Sequence, residues 1–209
     1  DNAGNSEEPK TAELRIDASA PAVGSRQTPA ANVAGWNNGP VEVVFVGTDT
    51  LSGIAYCSPA NSVSTEGSSR TITGYCSDYA GNSSTASVLL SIDMTAPVVS
   101  VSSPVAGELF TAGGGKLQIH LGVADNLDPA PSVAAMLVQM EDKRTPRGDR
   151  PANMEVADGV VIDPASIDDG LWRLEVAATD IAGNSTRTVS GLFEVVHDTA
   201  APETALTIG

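Results

Sequence analysis

At 209 residues the chain has room for one large domain or two of ordinary size. With 26 acidic against 11 basic residues, a formal charge of −15 and no basic stripe, it would repel a nucleic-acid backbone, so that class of partner is excluded. No apolar run reaches the length of a bilayer span, which excludes membrane insertion of this stretch as a helix.

Hydrophobic residues make up 41% of the chain and aromatics only 4%, so its core must come from Val, Ile, Leu and Ala and will be thin. The chain opens on an acidic pentapeptide, DNAGN (1–5), followed by TAELRI (11–16), read as a strand, and by the phrase IDASAP (16–21). GWNNGP (35–40) leads into VEVVFVGT (41–48), where β-branched residues alternate with a period of two and predict a strand. SRTITGYC (69–76) and STASVLLSI (84–92) predict two more, and between them DYAGN (78–82) repeats the opening pentapeptide. IDMTAP (92–97) then repeats the second phrase.

In the second stretch AGGGK (112–116) is a flexible lead without the spacing of a phosphate-binding loop. KLQIHLGVA (116–124), SVAAMLVQM (132–140), LWRLEVAAT (171–179) and TRTVSGLFEVV (186–196) predict four strands. The third of these runs into DIAGN (180–184), and HDTAAP (197–202) closes the pattern. The segment PSVAAMLVQMEDKR (131–144) carries Ala, Met and Leu, which favour helix, but it is short and its neighbours are strands, so a strand is expected. From the Asp of each pentapeptide to the Asp of the phrase after it is 16, 15 and 18 residues, so the two form one recurring unit. Asp17 to Asp93 is 76 residues and Asp93 to Asp198 is 105, each the size of a single sandwich domain.

These features give an all-β fold class: tandem antiparallel β-sandwiches. The stretch GWNNGPVEVVFVGTDTLSGIAYC, with STEGSSRTITGYCSDYAGN and IDMTAP, resembles the bacterial immunoglobulin-like repeats, close to the hyalin-repeat type, that occur in series in secreted and surface proteins. VADNLDPAPSV, DGLWRLEVAATDIAGN and HDTAAP extend the resemblance to the second stretch, whose insertion EDKRTPRGDRPANMEVADG departs from the pattern. The resemblance implies that residues 1–16 end a preceding repeat, 17–93 and 94–198 are two immunoglobulin-like domains, and 199–209 begin a following repeat.

It also implies a non-catalytic spacer or stalk in an exported, extracellular or cell-surface protein, with neighbouring repeats of the same chain as partners and no cofactor required. The other reading is an adhesive module that binds a glycan or a host surface protein. Trp36 and the tripeptide Arg147, Gly148 and Asp149 are its candidate contacts. His120 and His197 have no nucleophile patterned around them, so catalytic chemistry has no support in the sequence.

In an immunoglobulin-like sandwich the pentapeptide falls on the turn between the last two strands, where Gly81 and Gly183 can take positive φ and the Asp and Asn side chains bond local amides. The Ala of the pentapeptide is expected to face inward. Turn chemistry alone accounts for these residue types. The alternative is convergence, because the entering linker, the loop after the second strand and this turn share one end of the sandwich. That would gather Asp17, Asp49, Asp78 and Asn82 at the first domain, and Asp93, Asp125, Asn126, Asp128, Asp180 and Asn184 at the second. Carboxylates so gathered repel unless they are hydrogen bonded or bridged, and Ca²⁺ is the cation they would take. Cys57 and Cys76 are expected to join as a disulfide, Cys57 opening the third strand of the sandwich and Cys76 closing its antiparallel neighbour in the same sheet.

Overall fold

The structure, a computed structural model, describes residues 2–4, 6–140 and 153–197. It separates into two compact units: unit 1 is built from residues up to 31, 40–65 and 69–91, and unit 2 from 32–39, 66–68 and residues from 92 onward. Segments 32–39 and 66–68, which the sequence pattern places in the first domain, therefore group with unit 2. Both units are β-sandwiches with an immunoglobulin-like strand order, antiparallel except for one parallel pair in unit 2. Among the described residues there is no α-helix, only a 3₁₀ turn at Pro164–Ser166.

The strands of the first part are β1 (Ala22–Thr28), β2 (Trp36–Asn37), β3 (Val41–Thr48), β4 (Ile54–Cys57), β5 (Asn61–Val63), β6 (Gly67–Asp78) and β7 (Ser83–Ile92). One sheet of unit 1 has the order β1, β3, β5, and the facing sheet runs β7, β6, β4. β3 shows why: Val41, Val43 and Phe45 alternate with exposed residues and turn into the core, where Val63, Cys76 and Leu90 meet them. Gly74 of β6 lies under the Phe45 ring, and a Cβ there would come within 2.1 Å of it. That position therefore excludes any side chain. The core is small, as the composition implies.

The expected strand at residues 11–16 does not form. Leu14 and Ile16 are 81% and 75% exposed, and no edge among the described residues supplies the ladder that a strand needs.

Unit 2 contains β8 (Val98–Ser103), β9 (Leu109–Thr111), β10 (Leu117–Gln118), β11 (His120–Ala124), β12 (Ser132–Gln139), β13 (Asn153–Val156), β14 (Val161–Ile162), β15 (Gly170–Thr179), β16 (Ser185–Val189) and β17 (Phe193–Val196). β12 sits between β13 and β15, antiparallel to both, so two hydrogen-bonded ladders override the helix-favouring Ala and Met in its sequence. β17 continues this sheet and pairs in parallel with β9. β8 pairs with β11, and β10 with β14.

Two of the expected strands are each divided. The run 116–124 breaks at Ile119, which is fully buried and bonds to Val160 and Gly159, so that β10 and β11 can serve different partners. The run 186–196 breaks after β16, where Ser190 bonds to Leu174 through both its backbone and its hydroxyl, and β17 then pairs near the start of β15. The core is larger than that of unit 1 and includes Leu117, Ile119, Leu137, Leu174, Val195 and Trp172, with Phe110 and Phe193 edge to face at 5.7 Å.

Candidate functional site

The pentapeptide turns have the same geometry in both units. Gly81 and Gly183 take φ of 95° and 98°, values that side chains rarely adopt. In unit 1 the Asp78 carboxylate accepts from the Asn82 backbone N–H at 2.8 Å and from its side-chain amide at 2.9 Å. In unit 2 Asp180 accepts the same two bonds from Asn184 at 2.9 and 2.8 Å, and a third from the Gly183 N–H at 2.7 Å. The Asn amide also reaches the entering phrase: Asn82 donates to the Asp17 carbonyl at 3.2 Å, and Asn184 to the Asp93 carbonyl at 2.9 Å. Asn is suited to this place because one side-chain amide carries two donors. The pentapeptide alanines differ, with Ala182 buried and Ala80 exposed, so the inward position expected for both holds only in unit 2.

These turns complete two acidic triads. Carboxylate oxygens of Asp17, Asp49 and Asp78 lie within 4.8 Å of one another, as do those of Asp93, Asp125 and Asp180. Asn126 and Asp128, expected as members of the second set, serve elsewhere. Asn126 is exposed and donates to Glu66 Oε2 at 3.0 Å, while Asp128 accepts from the Ala130 and Ile181 N–H groups. Glu66, which no sequence motif marks, also accepts from the Met94 N–H and the Thr95 hydroxyl.

The triads differ in how their charge is met. In unit 1 the Ser52 hydroxyl and N–H both donate to Asp17 Oδ2, at 2.6 and 3.1 Å, and Ser19 N–H donates to Oδ1. Those bonds, the Ser52 hydroxyl first, hold the Asp17 carboxyl below its ordinary pKa. Asp49 Oδ1 accepts from three successive N–H groups, those of Leu51, Ser52 and Gly53. In unit 2 Asp93 is fully buried, and only its Oδ1 is bonded, by the Thr95 N–H. Burial, and then the neighbouring charges of Asp125, Asp180 and Glu66, push its carboxyl above the ordinary value. Asp93 Oδ2 and Asp125 Oδ2 are the buried side-chain oxygens without a hydrogen-bond partner among the described residues.

Cys57 and Cys76 are joined in a disulfide between β4 and β6, at directly opposed positions. Cys57 closes β4 instead of opening it, because that strand begins at Ile54, opposite Asp78. Trp36 lies in β2 and is half-buried, whereas Trp172 is 1% exposed and donates its Nε1–H to the Asp168 carbonyl. Arg147, Gly148 and Asp149 lie outside the described residues. His197 sits beside Asp169, and His120 beside Gln118 and Asp158, without a nucleophile in either pairing.

A hollow of about 390 Å³ on β12, β13, β15 and β16 contains Glu175 and Arg187. The carboxyl of Glu175 is held below its ordinary value of 4.5 by Arg187 and then by Arg173, which both bond to it. A depressed carboxyl stabilises the fold above its unfolded pKa, and that contribution is lost as pH falls through the lower, folded value. Both tryptophans belong to unit 2, so their fluorescence reports its unfolding. The fluorescence melting temperature should therefore fall as pH is lowered below 4.5, and fall less steeply in Glu175→Gln.

No family model and no curated protein matches the chain. Among solved structures it is similar to the fibronectin(III)-like modules of Clostridium thermocellum CbhA, with 10% identity, coverage of 84% of this chain and 95% of that one, and a TM-score of 0.38.

Proposed function

We propose that the chain is a run of non-catalytic structural modules, a spacer within an exported multidomain protein. The observation that supports this most is repetition. Asp17, Asp49, Asp78 and Asn82 of unit 1 recur as Asp93, Asp125, Asp180 and Asn184 of unit 2, and in both the Asn side chain ties the turn to the entering phrase. Most of the bonds these residues make go to the chain's own backbone. That arrangement suits a module that recurs in series and has no need of a substrate. The cross-strand disulfide in a thin core agrees with an oxidising, extracellular setting.

Adhesion is the competing reading, and it rests on Trp36 and on residues 147–149. The two separate when the full chain is applied to a glycan array and to intact cultured cells. The spacer reading expects no saturable binding. Saturable binding that disappears in Trp36→Ala, or on removal of residues 143–151, would replace it with the adhesive one.

A further inference from the structure

We infer that the carboxylates of Asp93, Asp125 and Asp180 form a divalent-cation site, selective for Ca²⁺, and that the matching triad of unit 1 does not. This goes beyond the spacer reading and stands independently of it.

An acidic cluster alone would not carry the inference. What does is a pair of buried oxygens, Asp93 Oδ2 and Asp125 Oδ2, that have no hydrogen-bond partner among the described residues, one of them on a residue with no exposed surface. A buried carboxylate oxygen without a donor loses its hydration and gains nothing in exchange. Three carboxylates with oxygens within 4.8 Å of one another compound the cost by repulsion, and among the described residues no Lys, Arg or His forms an ion pair with any of them. A bound cation removes the repulsion and satisfies both oxygens at once. Oxygens this close can share one calcium ion, since two that coordinate the same ion stand no more than about 5.2 Å apart. The donors are all hard carboxylate oxygens, without sulfur or imidazole, which disfavours zinc and copper.

The contrast with unit 1 has two sources: Asp93 is fully buried where Asp17 is half-buried, and one residue of the loop differs. Asp49 and Asp125 each open the same loop, and three residues later stand Ser52 and Asp128 respectively. The two N–H groups match at the first Asp of the loop, because Ser52 donates to Asp49 Oδ1 and Asp128 to Asp125 Oδ1, and only that of Ser52 also reaches Asp17 Oδ2, at 3.1 Å. The side chains do not match. The Ser52 hydroxyl donates to Asp17 Oδ2, the counterpart of Asp93 Oδ2. An ionised Asp128 has no proton to donate, and its carboxylate turns to Ala130 and Ile181 instead. Unit 1 thus meets by a serine hydroxyl what unit 2 leaves to a cation.

The test is thermal unfolding of the full chain, stripped with chelator and then titrated with calcium chloride, followed by tryptophan fluorescence. Magnesium chloride, and sodium chloride at matched ionic strength, serve as controls. The expected result is a melting temperature that rises by roughly 10 °C at a hundredfold excess over the dissociation constant, and much less with either control salt. Asp125→Asn keeps the acceptor for the Leu127 and Asp128 N–H groups, removes one charge and adds a donor, so it should melt higher than the wild type without calcium and lose the calcium response. Asp128→Ser, which restores the unit 1 arrangement, should do the same. A wild type indifferent to calcium overturns the inference, and so does a calcium response that persists undiminished in both variants.

Discussion

Trp172→Ala should destabilise unit 2 by about 3–5 kcal/mol, at the upper end of what a core truncation costs. Trp172 is 1% exposed and packs in a core that holds few other aromatic residues. Its truncation removes the transfer free energy of the indole and leaves a cavity that the surrounding Leu and Val side chains can only partly fill. It also leaves the Asp168 carbonyl without the indole donor at 2.9 Å. Urea unfolding followed by circular dichroism measures the loss, because the substitution removes one of the two tryptophans whose fluorescence reports the unit. A change below about 1 kcal/mol would mean that the indole is not a core residue.

The second large effect concerns unit 1. Replacing both Cys57 and Cys76 by Ser should cost about 3 kcal/mol, the entropy that a cross-link of this length withholds from the unfolded chain. The bond closes a loop of sequence separation 19 between neighbouring strands, in a unit whose core consists of a few small aliphatic residues and Phe45. A thin core makes that contribution a large part of the total. Chemical unfolding of wild type and double variant, both under non-reducing conditions, gives the difference. Equal midpoints would show that the cross-link contributes nothing to stability.

How far the sequence carried the fold depends on how each strand is buried. β3, β7, β12 and β15 turn one face to a core, so their alternation was visible, and each lies within a residue or two of its expected place. β1 was missed because its sequence, AVGSRQT, is mostly exposed and polar, and what makes it a strand is its full-length pairing with β3. β10 and β11 read as one strand because periodicity records burial, and a change of partner at Ile119 leaves burial unchanged.

The residues 11–16 show the converse. The repeat pattern places the last strand of a preceding repeat there, but a pattern supplies no partner.

The acidic triads were legible for a different reason. The spacing of the repeated phrases marked Asp17, Asp78, Asp93 and Asp180, and the shared end of the sandwich added Asp49 and Asp125. The spacing could not show that Asp128 would turn to the Ile181 N–H, or that Glu66 would reach Met94, Thr95 and Asn126 from far along the chain. The difference that matters most was nevertheless present in the sequence. Ser52 and Asp128 hold the same place relative to Asp49 and Asp125, and setting the two loops side by side would have exposed it.

The most direct measurement is calorimetric titration of the chelator-treated chain with calcium chloride, read for stoichiometry. The two triads share their carboxylates and differ in the burial of the first Asp and in the donors that Ser52 supplies, so counting ions asks whether those differences decide between them. One ion per chain is expected, abolished by Asp125→Asn. Two ions, or none, would contradict the assignment of the site to unit 2 alone.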